Sequence, residues 1–169
     1  SRLVAYVYDE EVKYGFDYAR GNTNEFYYAL SIDGVLSPLD SVRFQTSISA
    51  NTLKLLAENW QVSPDNYIRF GDGNIEVNNF ILTDLEQRVI TLNKVGQNGI
   101  KLGLQNFSFG LIDSFWRYEP LDFKGKFSLY MEVQDLYQLN DLSASLRSDS
   151  LIINEDAPRQ INLDFLRKI

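Results

Sequence analysis

The chain alternates apolar and polar positions with a period of two along most of its length. Residues 3–8, 26–32 and 42–48 show this alternation, and from Trp60 onward nearly every segment repeats it. Turn sequences such as Asp33-Gly34 separate the segments. Because a period of two places successive side chains on opposite faces of a strand, the chain is predicted to be all-β.

One stretch departs from this alternation and predicts a short helix near residues 50–58. Ser49 is suited to cap its first turn, and four apolar residues follow within residues 53–57. Lys54 and Glu58 are spaced i, i+4, which would place them together on the outer side of a helix.

Three segments, residues 75–82, 102–109 and 131–136, repeat one pattern. Each reads apolar, any residue, apolar, polar, Asn or Asp, and apolar, with Asn79, Asn106 and Asp135 at the aligned position. In residues 100–111 the apolar side chains occupy even-numbered positions before Asn106 and odd-numbered positions after it, which is a change of parity. A strand that changes parity while one face stays in the core needs an extra residue, and Asn and Asp tolerate the backbone of such a bulge.

Each repeat is therefore predicted to be a long strand bent in its middle. Several such strands side by side favour a large, curved, largely antiparallel sheet. The alternative is a closed β-sandwich with ordinary bulges. In the curved sheet, the apolar strand positions would form one smooth hydrocarbon wall. These are Ile75, Val77, Ile100, Leu102, Leu104, Leu129, Met131, Val133, Leu142 and Leu146.

Charge and composition remove several classes of function. The 169 residues include 16 Lys or Arg and 23 Asp or Glu, so the net charge is −7. Because nucleic-acid binding needs a basic face, no nucleic-acid partner is predicted. The chain has no His and no Cys, which excludes zinc sites built on those residues and Ser-His-Asp triads.

The remaining candidates for catalysis are adjacent carboxylates at residues 9–11 and 155–156. They fall in predicted turns, whereas a glycosidase needs two carboxylates facing each other across a cleft. The sequence therefore predicts a non-enzymatic protein without a cofactor or a metal site. It has no run of about 18 apolar residues, so no membrane span is predicted within this chain.

The sequence from Trp60 to Gly71, followed by Asn79-Phe80-Ile81-Leu82, resembles the β-rich periplasmic region of the TamB family of AsmA-like proteins, the translocation and assembly module. Residues 123–129 with residues 142–146 are similar to the recurring strand pairs of that region. The resemblance covers residues 42–165, and its motifs are strand patterns.

The resemblance implies a periplasmic segment of a long protein anchored in the inner membrane of Gram-negative bacteria. In family members the β-domain curls into an open hydrophobic groove, so the resemblance implies a groove-like sheet, a β-taco or a half-barrel, with the apolar wall positions above as candidate groove residues. The family acts in phospholipid transport to the outer membrane and in outer-membrane assembly. The implied partners are phospholipid acyl chains and outer-membrane assembly proteins, and no catalytic residues carry over. We accordingly expect residues 1–169 to be one β-rich domain cut from a longer envelope protein.

The aromatic content, which is 14%, leads to a different functional hypothesis. Tyr and Trp exposed on a sheet bind glycans or proteins, so the alternative function is a cell-surface or envelope β-sandwich module of that kind. A third hypothesis is that the chain is a purely structural spacer in an envelope protein.

Overall fold

Fifteen strands join into one open antiparallel sheet in the part of the chain that the computed structural model describes. That part comprises residues 2–22, 25–49, 53–55, 58–110, 122–138, 140–154 and 156–167. For residues 19–29 and 140 only the backbone is considered within these ranges. The first eight strands are β1 Arg2–Tyr8, β2 Glu11–Asn22, β3 Glu25–Pro38, β4 Arg43–Ile48, β5 Lys54–Leu55, β6 Glu58–Val62, β7 Tyr67–Gly71 and β8 Asn74–Asn78. The others are β9 Phe80–Asp84, β10 Val89–Val95, β11 Gly99–Ser108, β12 Phe123–Lys124, β13 Lys126–Asp135, β14 Asn140–Ile153 and β15 Arg159–Arg167.

The sheet has two halves that meet at a short strand. The first half runs in the order β1-β2-β3-β4-β7-β8, and the second in the order β6-β9-β10-β11-β13-β14-β15. The two-residue β5 pairs with β3 on one side and β6 on the other, so it joins the halves. This arrangement confirms the predicted all-β fold with a large antiparallel sheet. The sheet is open, which distinguishes it from the closed β-sandwich that was the alternative prediction.

The helix predicted near residues 50–58 is wrong where the structure describes that stretch. Lys54 and Leu55 pair with Ser31 and Leu30, and Glu58 begins β6. Burial explains the difference, because Leu53 is 2% exposed in the core and Leu55 packs against the same cluster. Two apolar residues spaced i, i+2 share a face of an extended chain but not of a helix. Residues 50–52 and 56–57 lie outside the described residues.

Two of the three predicted bends are confirmed. Asn79 and Asn106 both adopt a positive φ, 47° and 62°. At Asn106 the ladder with β13 shifts by one residue, from Leu104 opposite Leu129 to Phe107 opposite Phe127. This extra residue is the bulge that lets the apolar side chains change parity and stay on one face.

The third predicted bend, at Asp135, is wrong. Asp135 ends β13, and its carboxylate accepts hydrogen bonds from the backbone N–H groups of Tyr137 (2.8 Å) and Gln138 (3.1 Å). Asp has two uses in strand-rich chains, a bulge or a turn, and here its side chain stabilises a turn.

Substitutions at Asn106 test the bend directly. We expect Asn106→Val to lower the free energy of unfolding by about 1–3 kcal/mol, because a β-branched residue is strained at positive φ. Asn106→Gly is the matched control, since it accepts this φ and loses only the bond from Asn106 Nδ2 to the Gln87 carbonyl (2.9 Å). Urea denaturation measures both, and a Val variant as stable as the Gly variant would contradict the bend.

The buried core lies where the two halves of the sheet face each other. Its buried members are Leu53, Trp60, Val62, Leu82, Phe107, Phe109, Phe127 and Leu151. From the first half, Ile32 and Ile48 pack against this cluster. The apolar faces of both halves therefore converge here, and the sheet folds toward its apolar side.

Candidate functional site

The antiparallel registers of the second half align apolar side chains in three rows across neighbouring strands. Residues directly opposite each other in such a ladder project from the same face. The first row is Leu82, Ile90, Leu104, Leu129, Leu146 and Leu163. The second row is Phe80, Leu92, Leu102, Met131, Ala144 and Phe165. The third row is Lys94, Ile100, Val133, Leu142 and Arg167. We call these three rows the apolar wall.

The structure brings eight of the ten candidate groove residues together in the apolar wall. They are Ile100, Leu102, Leu104, Leu129, Met131, Val133, Leu142 and Leu146. The other two lie in β8, where Ile75 pairs with Phe70 and Val77 with Ile68 in the first half. The bend at Asn79 separates them from β9 and hence from the ladders that build the wall.

The wall reaches beyond the buried core. Its first row packs against the core cluster through Ile90, Leu104, Leu129 and Leu146, and Phe80, at the β9 end of the second row, packs there too. Leu102, Met131 and Val133 are half-buried and are not among the residues packed on that cluster. At the β15 edge, Leu163 is 62% exposed and Phe165 is 56% exposed. The second and third rows therefore form an apolar surface that is open to solvent.

The dimensions of the wall follow from strand geometry. Six strands about 4.8 Å apart span about 24 Å, and three rows two residues apart span about 14 Å. The three rows together cover about 300 Å², and the second and third rows, which lie outside the core-packed first row, account for about 200 Å² of it.

The opposite face of the same strands is more polar. Lys101 and Glu132 form an ion pair at 3.5 Å there, beside Thr91, Ser143 and Asp164. The separation is incomplete: the outer face also carries Ile81, Tyr130 and Leu166, and the wall carries Lys94 and Arg167. A two-sided sheet of this kind has one face prepared for apolar contact.

Aromatic rings close one end of the wall. Trp60 stacks on Phe107 with centroids 6.0 Å apart, and Phe127 contacts Phe107 at 6.2 Å and Phe109 at 5.0 Å. A guanidinium, that of Arg88, lies 5.6 Å from the Trp60 ring. This end is sealed by side-chain packing.

A buried ion pair supports the closed end, and sequence reasoning missed it. Arg88 Nε donates to Asp84 Oδ2, and the two side chains are 8% and 1% exposed. Asp84 Oδ1 also accepts from the backbone N–H groups of Glu86 and Arg88. The only sequence signal was a charge pair spaced i, i+4 just before a predicted strand, and such pairs are usually solvated.

The largest cavity described lies elsewhere, on the outer face of the first half. It measures about 520 Å³ and is lined by Tyr6, Lys13, Asp17 and Asp33 among others. None of the ten candidate groove residues lines it.

A scan against protein-family models finds no match, and searches of curated proteins and of solved structures find none either. Within the described ranges, no helix is long and apolar enough to cross a membrane. Fold and site together define the class of protein: an open all-β sheet that presents a continuous apolar wall on one face.

Proposed function

We propose that this chain is a lipid-groove segment of a TamB-like, AsmA-like envelope protein, and that its apolar wall holds phospholipid acyl chains in the periplasm. The observation that supports the proposal is the alignment of two apolar rows across six strands and of a third row, with a cation at each end, across five. The second and third rows extend beyond the buried core. Outer-membrane assembly proteins are the proposed protein partners.

The wall suits acyl chains because it needs no specific polar contact. Covering the second and third rows, about 200 Å² of surface, contributes about 5 kcal/mol at 25 cal/mol per Å². Immobilising a flexible chain offsets several kcal/mol of that gain. Net binding is then weak and reversible, as a conduit requires.

The closed end sets the direction in which a lipid moves. Trp60, Phe107 and Phe127 block travel along the strands at that end. The rows continue across the strands to β15, where Leu163 and Phe165 are exposed. Acyl chains would therefore move along the rows, from strand to strand.

Lipid co-purification tests the proposed function. We expect the protein, purified without strong detergent and then incubated with phospholipid vesicles, to carry phospholipid detectable by native mass spectrometry. Bovine serum albumin treated in parallel is the positive control, and ubiquitin is the negative control. Protein that stays free of lipid under these conditions contradicts the proposal.

One observation favours the second candidate, a module that binds glycan or protein. Tyr6 and Tyr8 are 65% and 70% exposed on β1, and Tyr6 lines the cavity of about 520 Å³. An aromatic ring beside carboxylates and a Lys suits a polar ligand. Lipid-free protein in the co-purification experiment would favour this candidate.

A further inference from the structure

The third row of the apolar wall has a cation at each end. Lys94 lies opposite Ile100, and Leu142 lies opposite Arg167. Both cations are exposed, and neither has a hydrogen bond or ion pair within the described ranges. In a chain with a net charge of −7, positive side chains at both ends of an apolar row would attract an anionic group.

A cavity lies beside Lys94 and has room for a polar group. It measures about 330 Å³ and is lined by the cations Arg43, Arg69 and Lys94, the acids Asp72 and Glu76, and apolar side chains that include Ile75. The lining thus has three cations and two acids, and a third acid, Asp40, pairs with Arg43 beside it.

The other charges of this cavity are already engaged. Arg43 pairs with Asp40 at 2.5 Å, and Arg69 pairs with Glu76 at 3.3 Å. The Tyr67 hydroxyl donates to Glu76 at 2.8 Å, and this bond, aided by Arg69 and by the charge of Lys94, lowers the pKa of the Glu76 carboxyl. Lys94 therefore interacts with Glu76 through charge, and within the described ranges its side chain makes no hydrogen bond or close ion pair.

We propose that this cavity holds the phosphate headgroup of an anionic phospholipid whose acyl chain lies on the third and second rows. The inference rests on the proposed function and adds a preference for negative headgroups. Ile100 is directly opposite Lys94 on the next strand, about 5 Å away, so a headgroup at Lys94 places its chain on apolar side chains at once. A phosphate beside Lys94 gains a charge-assisted hydrogen bond that a neutral surface would not offer.

Charge reversal at Lys94 tests the preference. Capture of phosphatidylglycerol and of phosphatidylcholine from otherwise identical vesicles is measured for wild type, Lys94→Glu and Lys126→Glu. Lys126 is the matched control, because it is exposed on β13 and lies on the opposite face from Phe127. We expect wild type and Lys126→Glu to prefer phosphatidylglycerol by about fivefold, and Lys94→Glu to lose that preference. The neutral variant Lys94→Gln should lie between them.

The outcomes separate the two proposals. Equal capture of both lipids by wild type, or an unchanged preference in Lys94→Glu, overturns the headgroup site and leaves the acyl-chain wall supported. Capture of neither lipid overturns the proposed function itself. Glycerol phosphate that competes as strongly as phosphatidylglycerol also overturns the inference, because the cavity would then recognise a free phosphate.

Discussion

Leu102→Asp is expected to abolish phospholipid capture while the protein stays folded. Leu102 is central in the second row, between Leu92 and Met131, and is half-buried. A carboxylate there either loses its hydration under an acyl chain or repels that chain, at a cost of several kcal/mol. Lipid affinity should fall on the order of 100-fold or more.

The choice of Leu102 over Leu104 follows from packing. Leu104 contacts the buried cluster, so a charge at that position would also unfold the protein. Leu102 is absent from the side chains packed on the cluster, so a charge there has access to water when no lipid is bound. The two variants separate loss of binding from loss of fold.

A matched substitution on the other face controls for charge. Thr91→Asp introduces the same carboxylate on the polar face of β10, beside Gly103 rather than beside Leu102. Transfer of a fluorescent phospholipid measures capture, and circular dichroism measures folding. Wild-type capture by Leu102→Asp, or equal loss in both variants, would contradict the apolar wall as the lipid site.

Local patterns in the sequence were sufficient to predict two of the three bends and most of the wall. Asn106 marks the change of parity within β11, Asn79 marks the bend between β8 and β9, and Asn tolerates the positive φ that both positions adopt. The period of two then assigns Leu102 and Met131 to one face, and an antiparallel sheet aligns them. These conclusions depend only on residues near each other in sequence.

Features that depend on distant strands could not be predicted in this way. Leu53 and Leu55 are extended because Trp60 and Ile32 form a core around them, which overrides their helical spacing. The position of Lys94 beside a cavity of β7 and β8 depends on how the two halves pack. No local pattern carries that information.

The closed end of the wall gives the largest expected effect on stability. Asp84→Ala removes the buried counter-ion of Arg88 and leaves only Glu86, an exposed carboxylate 3.7 Å from Arg88 Nη1. The Arg88 side chain is 8% exposed, and its Nη2 is buried without a hydrogen-bond partner. Breaking a buried ion pair costs about 3–5 kcal/mol, and since Glu86 offsets part of this cost, we expect the free energy of unfolding to fall by about 3 kcal/mol. Urea denaturation monitored by tryptophan fluorescence measures the loss.

An exposed ion pair supplies the control for this substitution. Asp156 and Arg159 are 3.2 Å apart and more than 60% exposed, so Asp156→Ala should cost less than about 1 kcal/mol. Replacing both members of the buried pair, as Asp84→Ala with Arg88→Met, should recover part of the loss because no charge is then buried. Equal stability of the two Ala variants would contradict the buried pair.

The same variant distinguishes the closed end from the wall. Asp84 and Arg88 stabilise the sealed end beside Trp60, whereas Leu102 and Met131 lie in the open second row. Lipid capture per folded molecule should therefore persist in Asp84→Ala and disappear in Leu102→Asp. If capture falls with stability in both variants, the lipid site includes the aromatic end, and movement along the rows is no longer the route.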